Sequence, residues 1–474
     1  MAKHSTPVLY TANPLYLMLS DLWLFTRITF TWPPSAGLPS IILPLWPTKY
    51  LDELALTPVN IWAIFLHSLL ILGQVVFLIS LIPLAFGLLP SLYFLYIVAF
   101  VLGNQLVSVL LNGRRQHKLI SSDSKCVEGW PGHPNEKWVF INGVAVGRSW
   151  LQANLDRLSM IFRRPVYAIH NQTRGIIFDV LECIIQRDLN YATLDIRQAY
   201  SALTKILSDS DVHKVVLVLH SQGAIEGGMV LDWLYSSVSA DEIRKLEIYT
   251  FGNAANHWNA PANGHSVGTA SRTTPNGDEV SDPPNQRLVK HIEHYANTGD
   301  YVSRFGILHF RPNKASPQSA ALNRLTEPKA ATWHAETPLA TQDNPMPPRS
   351  NSAPITPDPC LQIDLRAKYE NLFIGLLFKR EGSGHQLNQH YLNNIFEMEG
   401  VDEHDMSKGR VKERNAFMDT YVDTDVLKEW DTVQASSSAR NRGRSGQQVR
   451  EHSRLWTYRN GAGPNVNRST PQQN

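Results

Sequence analysis

A serine hydroxyl becomes a nucleophile only where a neighbouring base takes its proton and donors wait for the oxyanion. One stretch of this chain has the pattern for that, Lys214-Val215-Val216-Leu217-Val218-Leu219 followed by His220-Ser221-Gln222-Gly223. An apolar run leading into a serine and then a glycine suits a sharp strand-to-helix turn, with small residues wanted two before and two after the serine. Gly223 meets the second requirement. Leu219 departs from the first, and Gly227 and Gly228, one helical turn on, are the residues that would make room for it. The helix after Ser221 would aim its N-terminal dipole at a developing oxyanion, with the Gln222 amide as one donor.

Three further features complete the chemistry. Phe140-Ile141-Asn142-Gly143-Val144-Ala145-Val146-Gly147 follows an apolar run upstream. Its glycines let the chain bend so that the amide of Val144 or Ala145 faces the serine as a second donor. Asp300, in Asn297-Thr298-Gly299-Asp300, lies on a loop after a late strand, where an orienting acid belongs. Asp282 is a poorer candidate because it sits in a polar insertion. His385 ends a Gly-Ser-Gly loop and His390 follows one helical turn later. His385 is the favoured base and His390 the alternative. His220, His291 and His294 sit on or beside strands and suit core or supporting roles. The order Ser221, Asp300, His385 is one in which acyl-transfer triads occur.

These residues need strands that end close together. Apolar runs at Trp138–Ile141, Pro165–Ile169, Lys214–Leu219, Leu246–Phe251, Lys290–Ala296 and Leu372–Phe378 read as six strands. Helical patterns separate the earlier ones. Ser149 could cap a helix with Leu151, Leu155, Leu158 and Phe162 on one face. Others run through Ile176, Val180 and Ile184, over Ile196–Leu207, and over Gly223–Ser236. Strands alternating with helices predict a doubly wound, mainly parallel α/β sheet over residues 137–395.

Upstream the chain changes character. No Asp, Glu, Lys or Arg occurs from Val59 to Asn112. A spanning helix needs about 20 apolar residues, so this length predicts a transmembrane hairpin, with helices at 59–81 and 92–111. Pro83, Gly87 and Pro90 suit the turn between them. Arg114, Arg115 and Lys118 follow the second helix and Lys49 precedes the first, which places both flanks, and the α/β domain, on the cytoplasmic side of an integral membrane protein. Within the N-terminal segment 1–58, the apolar and aromatic run from Leu15 to Trp32 reads equally as an interfacial helix or as a helix packed on the domain. Asp21, Arg27 and Pro14 argue against a secretory signal.

The 474 residues are 43% apolar but only 18% charged, below the roughly 25% usual for soluble domains. A net charge of +2 gives no case for nucleic-acid binding. Cys126, Cys183 and Cys360 are scattered and odd in number, which predicts reduced structural thiols rather than a disulfide framework or a zinc site. No metal site, nucleotide loop or other cofactor motif is legible. Two insertions, 261–287 and 312–359, the second with ten prolines, read as disordered, as does a basic tail within the C-terminal extension 396–474. Seven arginines against one glutamate from Gln434 onward would also suit contact with anionic lipid.

The strand–HSQG–helix stretch and FINGVAVG resemble the α/β-hydrolase superfamily. Tyr249-Thr250-Phe251-Gly252-Asn253, with Asn297 and Asp300-Tyr301-Val302, resembles the matching parts of class 3 lipases. The whole is also similar to a group of uncharacterised fungal membrane proteins with this domain. The resemblance implies a serine esterase or lipase with Ser221 as nucleophile, Asp300 as acid and His385 as base. The substrate would be an ester, of a lipid or of an acylated protein, at the membrane. The competing expectation is a catalytically inactive membrane scaffold, with acyl transfer by the same triad as a third.

Overall fold

A run such as Val215–Leu219 avoids water on both faces, so it belongs inside a sheet covered on both sides. In the computed structural model it is β4 (Lys214–His220), whose residues from Val215 on are buried. The structure describes residues 8–113, 119–261, 287–311, 373–421, 432–434 and 447–464. In chain order the strands are β1 (Ile120–Ser121), β2 (Glu136–Ile141), β3 (Val166–Ile169), β4, β5 (Leu246–Phe251), β6 (His291–Asn297), β7 (Leu376–Arg380), β8 (Met398–Glu399), β9 (Arg410–Val411) and β10 (Thr432–Gln434). One sheet takes the order β1-β3-β2-β4-β5-β6-β7-β10. Its seven strands from β3 to β10 run parallel, and β1 pairs antiparallel with β3 at one edge. β8 and β9 form a separate two-stranded ladder.

The helices are α1 (Pro14–Thr29), α2 (Pro58–Gly87), α3 (Pro90–Asn112), α4 (Arg148–Phe162), α5 (Ile176–Leu189), α6 (Leu194–Leu207), α7 (Gln222–Ser237), α8 (Ala240–Ile243), α9 (Tyr301–Phe305) and α10 (Ile307–Phe310). Two apolar cores sandwich the sheet. One joins α4 and the start of α2 to Trp138 and Phe140, and the other joins α1, α6 and α7 to Val139, Ile141 and Leu217. The α/β class is present, and strands lie at all six expected places, the last over Leu376–Arg380 rather than Leu372–Phe378. Ser149 lies inside α4, whose N-cap is Gly147.

α2 and α3 are both long and apolar enough to cross a membrane. Pro83 lies inside α2 rather than ending it, and the chain turns at Leu88 and Leu89, with Pro90 in the first turn of α3. A proline inside a helix loses one hydrogen bond but keeps a helical φ, so it need not be the break. The hairpin is not a free stalk. Asn60, Ala63, Leu66, His67, Leu70, Gln74 and Phe77 form a buried stripe at helical spacing. His67 stacks on Trp150 of α4, and Gln74 Nε2 donates to the Arg174 carbonyl at 2.7 Å. Arg114, Arg115 and Lys118, on which the orientation rests, lie outside the described residues.

α1 packs on α5 and α9, with Leu17, Leu24 and Ile28 buried, and its buried Asp21 pairs with Arg187. Its opposite face is exposed and apolar, so it has features of both readings drawn from the sequence.

The expectation of a wholly disordered basic tail is corrected. Residues 447–464 pack against the sheet, with Leu455, Trp456 and Tyr458 buried. Arg454 binds Glu247 at 2.7 Å, and Tyr458 Oη donates to the same carboxylate at 2.8 Å. A few apolar residues among arginines suffice when the sheet supplies the acids. The rest of that tail, the 312–359 insertion and all but the ends of 261–287 fall outside the described residues.

Candidate active site

Every expected site residue lies at the C-terminal edge of the sheet. Ser221 follows β4 with φ 58° and ψ −123°, the left-handed side of backbone space, which L-residues enter at a cost of about 1–3 kcal/mol. The neighbouring strand holds it there. Ser221 N–H donates to the Phe251 carbonyl at 3.0 Å and its own carbonyl accepts from Ala254 at 3.4 Å. The turn needs bare backbone on two sides. A Cβ at position 223 would stand 2.4 Å from the Ile141 carbonyl oxygen, and one at position 143 would stand 2.3 Å from Ser221 Cβ. Leu219 is accommodated by Gly227, where a Cβ would lie 2.5 Å from its Cδ1. Gly228 does not share that task and faces Trp258.

Asp300 and His385 come together from the loops after β6 and β7. The loops are laced by Gly299 N–H to the Gly382 carbonyl at 2.7 Å and Asn297 Nδ2 to the Gly384 carbonyl at 3.2 Å. His385 Nδ1 donates to Asp300 Oδ2 at 2.9 Å. Tyr391 Oη at 2.6 Å and Ser303 Oγ at 2.9 Å donate to the same oxygen, while Oδ1 caps α9 through Val302 N–H. Burial alone would push the Asp300 carboxyl up. Its charge interaction and hydrogen bond with His385, with those from Tyr391 and Ser303, outweigh burial and hold it below the usual range. His385 Nε2 is buried and accepts no hydrogen bond among the described residues.

The register brings this pair to the serine. His220 pairs with Phe251, so Ser221 and Gly252 emerge side by side from β4 and β5. Gly252 has φ 57°, and a Cβ there would stand 2.7 Å from His385 Cε1 and 3.1 Å from Asp300 Oδ2. The His385 ring therefore lies directly over the backbone next to Ser221. It also stacks on His220, with centroids 4.7 Å apart, and His220 Nε2 donates to the His385 carbonyl at 2.8 Å. Burial, then the nearby His385, push His220 down to about 3, so it stays neutral and serves as a shelf.

His390, the alternative candidate, has no free ring nitrogen. Its Nδ1 accepts from Gln386 N–H at 3.0 Å and its Nε2 donates to the Pro44 carbonyl at 3.0 Å, so both ring nitrogens are occupied. His294 is likewise a core residue, bonded to Thr250 and the Ile374 carbonyl, and His291 bonds Glu293 at the far end of β6.

The oxyanion candidates divide. The Gln222 and Val144 amides donate to no group among the described residues. Ala145 is corrected, since its N–H donates to Asp179 Oδ2 at 3.0 Å and is spent. A chain of buried amides fixes the other two. Asn142 Nδ2 holds the Gly143 carbonyl at 3.0 Å, which turns the Val144 N–H of the same planar peptide the opposite way. Asn142 is tied to the backbone of Asn171, Asn171 Nδ2 donates to Gln222 Oε1 at 2.8 Å, and Gln222 Nε2 donates to Gln186 Oε1 at 3.0 Å.

Sequence reasoning missed the outer wall. The segment joining α1 to α2 runs past the histidine loop. Gly384 and His385 N–H donate to the carbonyls of Ser40 and Ile41 at 3.0 and 2.9 Å. Buried Glu53 accepts from the backbones of Asn388 at 2.9 Å and Gln389 at 3.2 Å. No motif announces such long-range pairing. Tyr391 was within reach of inspection, one residue from His390, but its aim at Asp300 depends on the π-helical turn Leu387–Leu392. A cavity of about 400 Å³ lies apart from the triad, between α3 and residues 172–178. Among the described residues no cluster of His, Cys, Asp and Glu is arranged to hold a metal.

Comparison of the chain with models of known protein families, with curated proteins and with solved structures finds no match.

Proposed function

We propose that the chain is a membrane-anchored serine hydrolase that cleaves an ester through Ser221, His385 and Asp300. The observation that carries this reading is the His385–Asp300 pair. The His385 Nδ1 is held by a buried carboxylate, its Nε2 has no hydrogen-bond partner among the described residues, and its ring sits over Gly252, which emerges from β5 side by side with Ser221 in its strained turn. Such a pair fixes the imidazole tautomer that leaves Nε2 free to take a proton. Ser221 Oγ attacks the ester carbonyl as His385 Nε2 takes its proton. The oxyanion is met by the Gln222 and Val144 amides. The proton passes to the leaving alcohol, and water, deprotonated by the same nitrogen, releases the acid from the acyl-enzyme. The hairpin would anchor the domain, and the sequence flanks put it on the cytoplasmic face.

A fluorophosphonate probe tests the chemistry on the full chain in detergent. Covalent labelling of the native protein and its loss in Ser221→Ala are expected. A folded protein that takes no label is an inactive scaffold. Protease protection in sealed vesicles tests the topology, with the region after α3 expected to be digested from the cytoplasmic side.

A further inference from the structure

A helix at a water-facing surface turns its charges outward. α5 does the reverse. Asp179, Gln186, Arg187 and Asp188 are buried, while Leu181, Ile185 and Leu189 form an exposed stripe at i, i+4 and i+8. α1, packed beside it, has the same inversion. Asp21 is buried against Arg187, whereas Leu15, Leu19, Leu22 and Trp23 are each more than half exposed. α5 packs against α2 of the hairpin and α1 packs against α5, so the three are linked in series, and the hairpin's dimensions matter. α5 begins where Gln74 and Asn104 bind the Arg174 carbonyl and where Phe178 meets Phe100. Gln74 is 16 residues into α2 and 13 from its end, so the hairpin reaches only about 20 Å beyond α5 at 1.5 Å per residue. A hydrocarbon core is about 30 Å thick. A hairpin that inserts over its full apolar length must therefore carry its α5 contact into the lipid.

We propose that α1 and α5 form, with the hairpin, one continuous bilayer-embedded face, so that the α/β domain is sunk into the membrane rather than tethered above it. The inference rests on the membrane reading of α2 and α3 and is independent of catalysis. It also explains why the ion pair of Asp21 and Arg187 is turned inward, where Arg187 additionally donates to the carbonyls of Ala254 and Phe305. α5 contacts Ala145, Gln222, Ala254 and Phe305, which follow β2, β4, β5 and β6 respectively. The embedded face thus lies at the sheet edge that holds Ser221.

The test is single-cysteine labelling of the full chain, in a background lacking the three native cysteines, with an environment-sensitive fluorophore. Leu19→Cys and Leu181→Cys probe α1 and α5, Ile79→Cys probes the hairpin, and Ser210→Cys, exposed before β4, is the aqueous control. The labelled proteins are reconstituted into phosphatidylcholine vesicles with and without nitroxide-bearing phosphatidylcholine, after circular dichroism shows native-like helix content. Loss of fluorescence at positions 19 and 181 comparable with that at 79, with none at 210, is the expected result. Quenching at 79 but not at 19 and 181 overturns the proposal while the hairpin reading stands. The same holds if those labels are shielded from water yet unquenched, as a protein partner or a second copy would leave them. No quenching at 79 removes the hairpin reading and the proposal with it.

Discussion

At the scale of single residues, the site depends on places where a side chain must be missing. Gly252 is the sharpest. Its φ of 57° is costly for an L-residue, and its absent Cβ is the space filled by His385 Cε1 and Asp300 Oδ2. Gly252→Ala should therefore push the imidazole off its seat while leaving Ser221 and the amide network in place. The expected outcome is a fall in fluorophosphonate labelling rate of at least about tenfold, as a displacement worth about 1.4 kcal/mol at the transition state implies. The melting temperature should fall by much less than in a core truncation. Equal labelling rates would show that His385 does not act on Ser221. Leu219 gives the complementary case. The pattern of small residues around the serine was legible in the sequence, and so was the need for space near position 227. Which glycine supplied it was not, because Gly227 and Gly228 differ only in helical phase.

At the scale of elements, legibility followed burial. β4 and β5 are buried along nearly their whole length, so Val215–Leu219 is an unbroken apolar run, Leu246–Phe251 is interrupted only by Glu247 and Thr250, and the limits of both were readable to within a residue. β1 and β10 are two and three residues long and sit at the sheet edges, too short for any periodicity to reveal. The segment between α1 and α2 was unreadable for another reason, since its contacts with the histidine loop are with residues more than 300 positions away. It nevertheless holds the histidine loop, and Glu53 is its anchor. The Glu53 carboxylate faces three donors, the backbones of Asn388 and Gln389 and the Asn154 side-chain amide at 2.8 Å. Glu53→Gln replaces one acceptor with a fourth donor in a closed space. An unsatisfied buried group costs about 1–3 kcal/mol. The variant should lose stability of that order in a thermal melt. Because the loop carries His385, it should also label more slowly at temperatures where it is fully folded. A melt unchanged from the native protein would contradict this role.

At the scale of the whole molecule, the buried charges set a pH dependence whose sign can be worked out. His220 and His294 are pushed down to about 3 and His170 to about 4, in each case chiefly by burial. Unfolding lets them regain protons below their ordinary 6.5, so their neutral burial costs stability as pH falls through that range. Several acids run the other way. Burial raises Asp179 to about 6, and burial followed by the neighbouring Asp21 raises Asp188 to about 8. Neither oxygen of Asp188 accepts a hydrogen bond among the described residues. These carboxyls hold protons in the fold at pH values where the unfolded chain, titrating near 3.8, has released them. Their contribution is present at low pH and lost as pH rises through the folded value. Between pH 4 and 6 the two sets oppose each other, three histidines against two acids, so these groups together should make stability rise only gently with pH. Above about 7.5 the histidines are neutral in both states, and Asp188 alone among these groups still changes its proton count. Stability should then decline towards pH 8, by at most about 1.4 kcal/mol for each pH step over which unfolding releases that one proton. Thermal melts in detergent at pH 7.5, 8.0 and 8.5 measure that decline. Asp188→Asn keeps the side chain's size and removes that titration, so its melting temperature should fall less over the same interval than that of the native protein, the remainder coming from Glu226, whose carboxyl burial also raises well above its usual range. A native protein that gains stability from pH 7.5 to 8.5 would show that Asp188 is ionised in the fold, compensated by Arg187, with Nε 4.0 Å from it.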